Sequence, residues 1–195
     1  MIGFIRIACG LALILLLGVA AVLRLPTTSE ARSGCPAFAA LADGRLHYRL
    51  PPQWVVVDPF TSRTPYLGQI WFPELPSFST RVAYLRSRLA AQELFIMFGP
   101  ASELRPMYER ATTRWDHHPL TTLEAPSSTA TGDGTTVRWR IAAMNPGKLG
   151  GESARYFLGA AEFGDRMLLL NGGGVAAEFD DEAFVDIIRS LTIVK

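Results

Sequence analysis

The sequence predicts an α+β domain: an α/β/α sandwich around a mostly antiparallel sheet, preceded by one N-terminal apolar helix. Three observations lead there. In DDEAFVDIIRSLTIVK, residues 180–195, Phe184, Ile187, Ile188 and Leu191 fall at i, i+3, i+4 and i+7, a single apolar helix face that needs a surface to cover it. Upstream, residues 121–171 read as a run of strands joined by turn signals, which supplies that surface. In ELFIMFG, Leu94 to Phe98 contains no polar residue, as expected of a central strand covered on both faces.

The first segment to place is MIGFIRIACGLALILLLGVAAVLRLP. It is free of charge from Ile7 to Leu23, between Arg6 and Arg24. That run sits at the lower limit for crossing a hydrocarbon core of about 30 Å. Residues 1–25 therefore read as a signal anchor or a signal peptide, with the small residues of Ser29–Ala31 available for cleavage in the second case. Residues 26–44 read as a polar tether and residues 45–195 as a single α+β domain. The expected location is membrane-anchored through residues 7–23 with the domain outside the cytoplasm, periplasmic or at the cell surface, or secreted after cleavage. Cys9 lies in the apolar run and Cys35 in the tether, so the domain itself has no cysteine pair to join.

Charge is balanced, with 19 basic and 18 acidic residues and a formal net charge of +1. No basic block supplies the face that nucleic acid requires, so no nucleic-acid partner is expected.

Within the domain, LHYRLPPQWVVVDP gives an extended run, a proline break and the β-branched strand WVVV. LGQIWFP at 67–73 reads as another strand. PSFSTRVAYLRSRLAAQ reads as a helix, with Phe78, Val82, Leu85 and Leu89 as its stripe and Ser79 or Thr80 as its cap. ASELRPMYERATTRW places Leu104, Met107, Tyr108, Ala111 and Trp115 on one helix face, with Pro106 expected in the first turn. Two strands are expected around Asp133-Gly134, the second alternating Val137, Trp139, Ile141 and Ala143 with outward residues. ARYFLGAAEF and RMLLLN pair across Gly164-Asp165, and Gly172-Gly173-Gly174 reads as a mobile turn leaving the last strand. Asp180 or Asp181 is the expected cap of the closing helix, with Glu182 at the positive end of its dipole.

LHYRLPPQW near the domain start, RYFLGAAEFGDRMLLLNGGG, and the ending FDDEAFVDIIRSLTI with its Ser190-Leu191 pair together resemble the PsbP/Mog1-like superfamily. Gln53 stands where that opening has a small residue or glycine before Trp54. The resemblance implies an α/β/α sandwich with a central antiparallel sheet and a non-enzymatic role, as an accessory or assembly factor that binds other proteins. It brings no catalytic residues with it.

WDHHP contains three competent metal ligands, Asp116, His117 and His118, but a closed site needs three or four ligands that converge. His47 is the remaining histidine. A histidine near the last carbonyls of a helix is also favourable without any metal. Ser153 in GGESARY lacks the second glycine of a nucleophile elbow, and Lys148 is not followed by the Ser or Thr of a phosphate loop. No catalytic residue and no cofactor is assigned. Arg81, Arg86, Arg88, Arg105, Arg110 and Arg114 would decorate two helices as a solvated face or an anionic-headgroup contact. Tyr66, Trp71, Phe72 and Phe78, among several prolines, form the best apolar stretch for binding a partner. The expected function is a non-enzymatic, membrane-tethered binding or accessory domain acting on another envelope protein. The alternative is a small hydrolase or metal-binding protein using the Asp116–His118 region.

Overall fold

The computed structural model describes residues 38–41, 45–57, 79–119, 121–145 and 153–193, all within a compact unit that begins at Pro36. The N-terminal apolar run, Cys35, the strand expected at 67–73, Tyr66, Trp71, Phe72, Phe78 and Lys148 lie outside the described residues.

Among the described residues, eleven strands and two α-helices follow in chain order. β1 (Phe38–Leu41) lies within the residues read as tether. Its apolar FAAL stretch pairs antiparallel with β2 (Leu46–Arg49). β3 (Trp54–Val57) follows the proline break. β4 (Arg81–Ser87), β5 (Gln92–Pro100) and α1 (Ala101–His117) come next. Then come β6 (Thr121–Leu123), β7 (Ser127–Ala130), β8 (Thr136–Met144), β9 (Ala154–Phe163) and β10 (Arg166–Val175). A short 3₁₀ turn at Ala176–Glu178 leads to α2 (Asp181–Ser190) and β11 (Thr192–Ile193).

The main sheet has eight strands in the order β3-β4-β5-β10-β9-β8-β6, with β7 also pairing β8, and every pair is antiparallel. α1 packs on one face through Leu104, Met107, Ala111 and Trp115, against Met97, Leu158, Leu169 and Ala142. α2 packs on the other face, beside a three-stranded sheet in the order β1-β2-β11. This is the α/β/α sandwich the sequence predicts, and the strands from residue 121 onward are neighbours in it.

The α2 side is filled by aromatic rings. Trp139, Phe157, Phe184 and Phe179 stack in series with centroids 5.4, 5.1 and 5.0 Å apart, and Trp54 meets Phe184 edge-on at 5.6 Å. Asp180 caps α2 as expected, its Oδ1 accepting the Ala183 N–H at 3.2 Å.

Four local expectations are corrected. The stretch from Ser79 to Gln92 is not a helix: its centre is β4, between β3 and β5. Ala83 and Leu85 face the α2 layer while Tyr84 faces the other side, and all three are buried. Burial on both faces erases the polar alternation by which a strand is recognised. Pro106 lies in the second turn of α1, where the Ser102 carbonyl loses its usual N–H donor. The strand expected before Asp133 is split into β6 and β7 around Pro126. Gly172-Gly173-Gly174 is no turn but the buried interior of β10, paired to both β5 and β9. A Cβ at Gly172 would stand 2.6 Å from the Glu93 carbonyl oxygen and 2.7 Å from Phe184 Cε1. The missing side chain is what lets the Phe184 ring rest on the sheet.

Candidate functional site

Asp116, His117 and His118 close α1. The Asp116 carboxylate pairs with the Arg140 guanidinium of β8 at 3.0 Å. The His118 N–H donates to the Trp115 carbonyl, and the His118 carbonyl accepts from Thr121 N–H at 3.1 Å. The segment therefore joins helix to sheet. His47 is on β2, opposite Thr192 of β11, in the small sheet on the α2 side. The main sheet thus separates it from the end of α1. Ser153 precedes β9, and its carbonyl accepts the Ala176 N–H at 2.8 Å. Among the described residues no three His, Cys, Asp or Glu side chains gather as a metal-binding group.

A buried acid meets a phenol from the stretch that reads as a helix. Tyr84 (0% exposed) donates its hydroxyl to Glu93 Oε2 (Glu93 4% exposed) and stacks on Phe95, with centroids 4.5 Å apart. Burial pushes the Tyr84 phenol well above its ordinary value, and the hydrogen bond to Glu93 pushes it further in the same direction. A phenol held protonated can donate a hydrogen bond but cannot abstract a proton at neutral pH. The pair pins β4 to β5 across the register Tyr84–Phe95 and Arg86–Glu93. Its sequence signal was the two-residue spacing of Tyr84 and Arg86, hidden by the helical reading of that stretch.

The described surface leaves two large apolar side chains exposed. Val56 (49% exposed) and Leu89 (76% exposed) are its exposed large hydrophobics. Val56 is on β3, the outermost described strand of the main sheet, and Leu89 follows β4, its neighbour. The turn into β3 is unusual: Gln53 has φ 72°, the left-handed region that glycine enters without penalty. That conformation accounts for the small residue expected there, and costs a glutamine about 1–2 kcal/mol. Arg86 lies opposite Val55 in the β3–β4 register, and the Arg88 N–H donates to the Gln53 carbonyl at 2.8 Å. β3 ends at Val57 and β4 begins at Arg81, so the connection carrying Tyr66, Trp71, Phe72 and Phe78 leaves from and returns to this same edge. The arginines expected on two helices are thereby divided: Arg81, Arg86 and Arg88 belong to β4 and its end, while Arg105, Arg110 and Arg114 belong to α1.

No family model matches the chain, and no curated protein matches it in sequence. Solved structures do align. The Ran-binding protein Mog1p of Saccharomyces cerevisiae is 12% identical with a TM-score of 0.46, over 84% of this chain and 97% of that one. The cyanobacterial PsbP of Synechocystis is 11% identical with a TM-score of 0.47, over 87% and 100%. LpqN of Mycobacterium tuberculosis, described as involved in cell envelope biogenesis, is 13% identical with a TM-score of 0.47, over 83% and 91%. PsbP and Mog1 proteins are thus among the structures similar to this chain, as the sequence motifs imply, and the likeness is one of fold.

Proposed function

We propose that the chain is a membrane-tethered, extracytoplasmic binding domain that acts on another envelope protein without catalysing a reaction. The observation that carries this reading is the β3 edge. There, Val56 is exposed beside the end of β3 from which the connection 58–78 departs, and Leu89 is exposed at the opposite end of the β3–β4 pair. Apolar side chains left exposed along one sheet edge favour docking of a protein there. The polar side chains elsewhere support the same reading, since Asp116, Asp180 and Glu93 are each engaged in holding elements together. Tyr66, Trp71, Phe72 and Phe78 are assigned to the same binding role, and the charge-free run 7–23 to the membrane tether.

The test places a photo-cross-linking amino acid at Leu89, or at exposed Thr113 on α1 as a control, in the native host. The reading expects one identified envelope protein to be joined reproducibly through Leu89 and not through Thr113, in the membrane fraction. Equal adducts at both positions, or none at Leu89, would contradict it.

A further inference from the structure

The β3 edge has a backbone pattern that specifies how it would be met. Arg88 N–H donates to the Gln53 carbonyl, so Gln53 forms a hydrogen-bonded pair with β4. Residues alternate along an antiparallel strand, and the register then turns Val55 and Val57 toward β4 as well. Trp54 and Val56 point their backbone groups the other way. The Trp54 N–H is already engaged by the Pro51 carbonyl at 3.1 Å. That leaves a Trp54 carbonyl, a Val56 N–H and a Val56 carbonyl directed outward. Among the described residues no strand pairs with β3 on that side.

One donor between two acceptors is what an added strand requires, and the apolar Val56 side chain lies beside it. Arg86 and Arg88 flank the same edge, and neither forms an ion pair among the described residues. The neighbouring carboxylates are engaged elsewhere: Glu93 is buried against Tyr84, and Glu178 accepts the Ala91 N–H at 2.7 Å. The described residues of the edge are therefore apolar and cationic. A second copy of the chain laid antiparallel on β3 would bring two further arginines to it, with no unengaged carboxylate beside them among the described residues.

Building on the binding reading above, we propose that β3 accepts an extended segment of the partner by strand addition, and that this segment alternates apolar and acidic residues. Backbone bonds supply the docking geometry, and the side-chain pattern supplies selectivity. Pro51 and Pro52 stop the pairing at the start of β3, so the contact is short and depends on side chains on both faces.

The test uses short synthetic peptides alternating valine with glutamate, or valine with lysine, titrated onto the full chain. Amide hydrogen exchange at Val56 and peptide fluorescence anisotropy are followed together. The glutamate peptide should slow exchange at Val56 and bind about tenfold or more tightly than the lysine peptide. Replacing Arg86 and Arg88 together by glutamate should reverse that preference. Val56→Pro, which removes the outward N–H at an edge position where proline is tolerated, should abolish Val56-centred binding with circular dichroism unchanged. Equal binding of both peptides, or binding unaffected by either variant, would overturn the proposal. So would a concentration-dependent dimer that Val56→Pro abolishes, since the occupant would then be a second copy. If the Leu89 cross-link to an envelope protein persists in Val56→Pro, strand addition fails while the binding reading stands.

Discussion

The layer under α2 and the edge at β3 are built on opposite terms, although they share Trp54. Under α2 the groups around Phe184 are covered. Phe184 is 1% exposed and touches Trp54, Phe157 and Phe179, and β10 gives up side chains so that the ring can reach its backbone. At the edge, two residues past Trp54, the Val56 side chain and its backbone groups turn outward. Stability and recognition are therefore separable here. Changes under α2 should unfold the domain, whereas changes at the edge should leave the fold intact and remove the contact.

The largest effect expected is that of Phe184→Ala. It leaves a cavity among three rings and should lower unfolding free energy by about 3–5 kcal/mol, read by urea denaturation. Loss of under 1 kcal/mol would mean that the aromatic series is not the main support. Gly172→Ala should follow, at about 1–3 kcal/mol, because its new Cβ meets a backbone carbonyl that has little room to move. Gly134→Ala would not test packing, because its strain comes from φ 85° with open space around it.

Asp133 gives a smaller effect with a pH signature. Its carboxylate accepts Thr131 Oγ1–H, Thr135 N–H and, across to β11, Ile193 N–H at 3.2 Å. Partial burial raises its pKa, but the accepted hydrogen bonds outweigh that effect and hold it below its ordinary 3.8. A carboxylate depressed in the folded state stabilises fully above the unfolded value, and the contribution fades as pH falls through the folded value. Asp133→Asn should therefore cost about 1 kcal/mol at neutral pH, and its deficit against the parent chain should shrink once pH is taken below 3.8. A deficit that stays constant into acid would show that charge is not what binds β11 here. Smallest of all, Leu89→Ser should change stability by less than about 0.5 kcal/mol while weakening the cross-linked contact. A marked fall in melting temperature would instead make Leu89 part of the core.

How far the sequence reveals these features depends on how local each is. The α2 stripe, the Asp180 cap and the hairpin at Gly164-Asp165 are written in windows of a few residues, and all appear as expected. β4 was misread because central burial replaces period-two alternation with a continuous apolar run, and Ser79 and Thr80 imitate a cap. Thr80 instead donates its hydroxyl to Glu103 at 2.9 Å, tying the start of β4 to α1. The edge position of β3 was not legible at all. WVVV announces a strand, but which strand ends the sheet follows from β5 pairing with β10, whose register joins Met97 to Leu169, far apart in the chain. Glu93 was missed for the same reason, since its partner Tyr84 sits on a strand the local pattern concealed.

The most direct measurement is recovery of the envelope protein identified through Leu89 by a Val56→Asp/Leu89→Ser variant, alongside its melting temperature. The expected result is an unchanged melting temperature and loss of that protein from the purified complex. Undiminished recovery by the folded variant would contradict it.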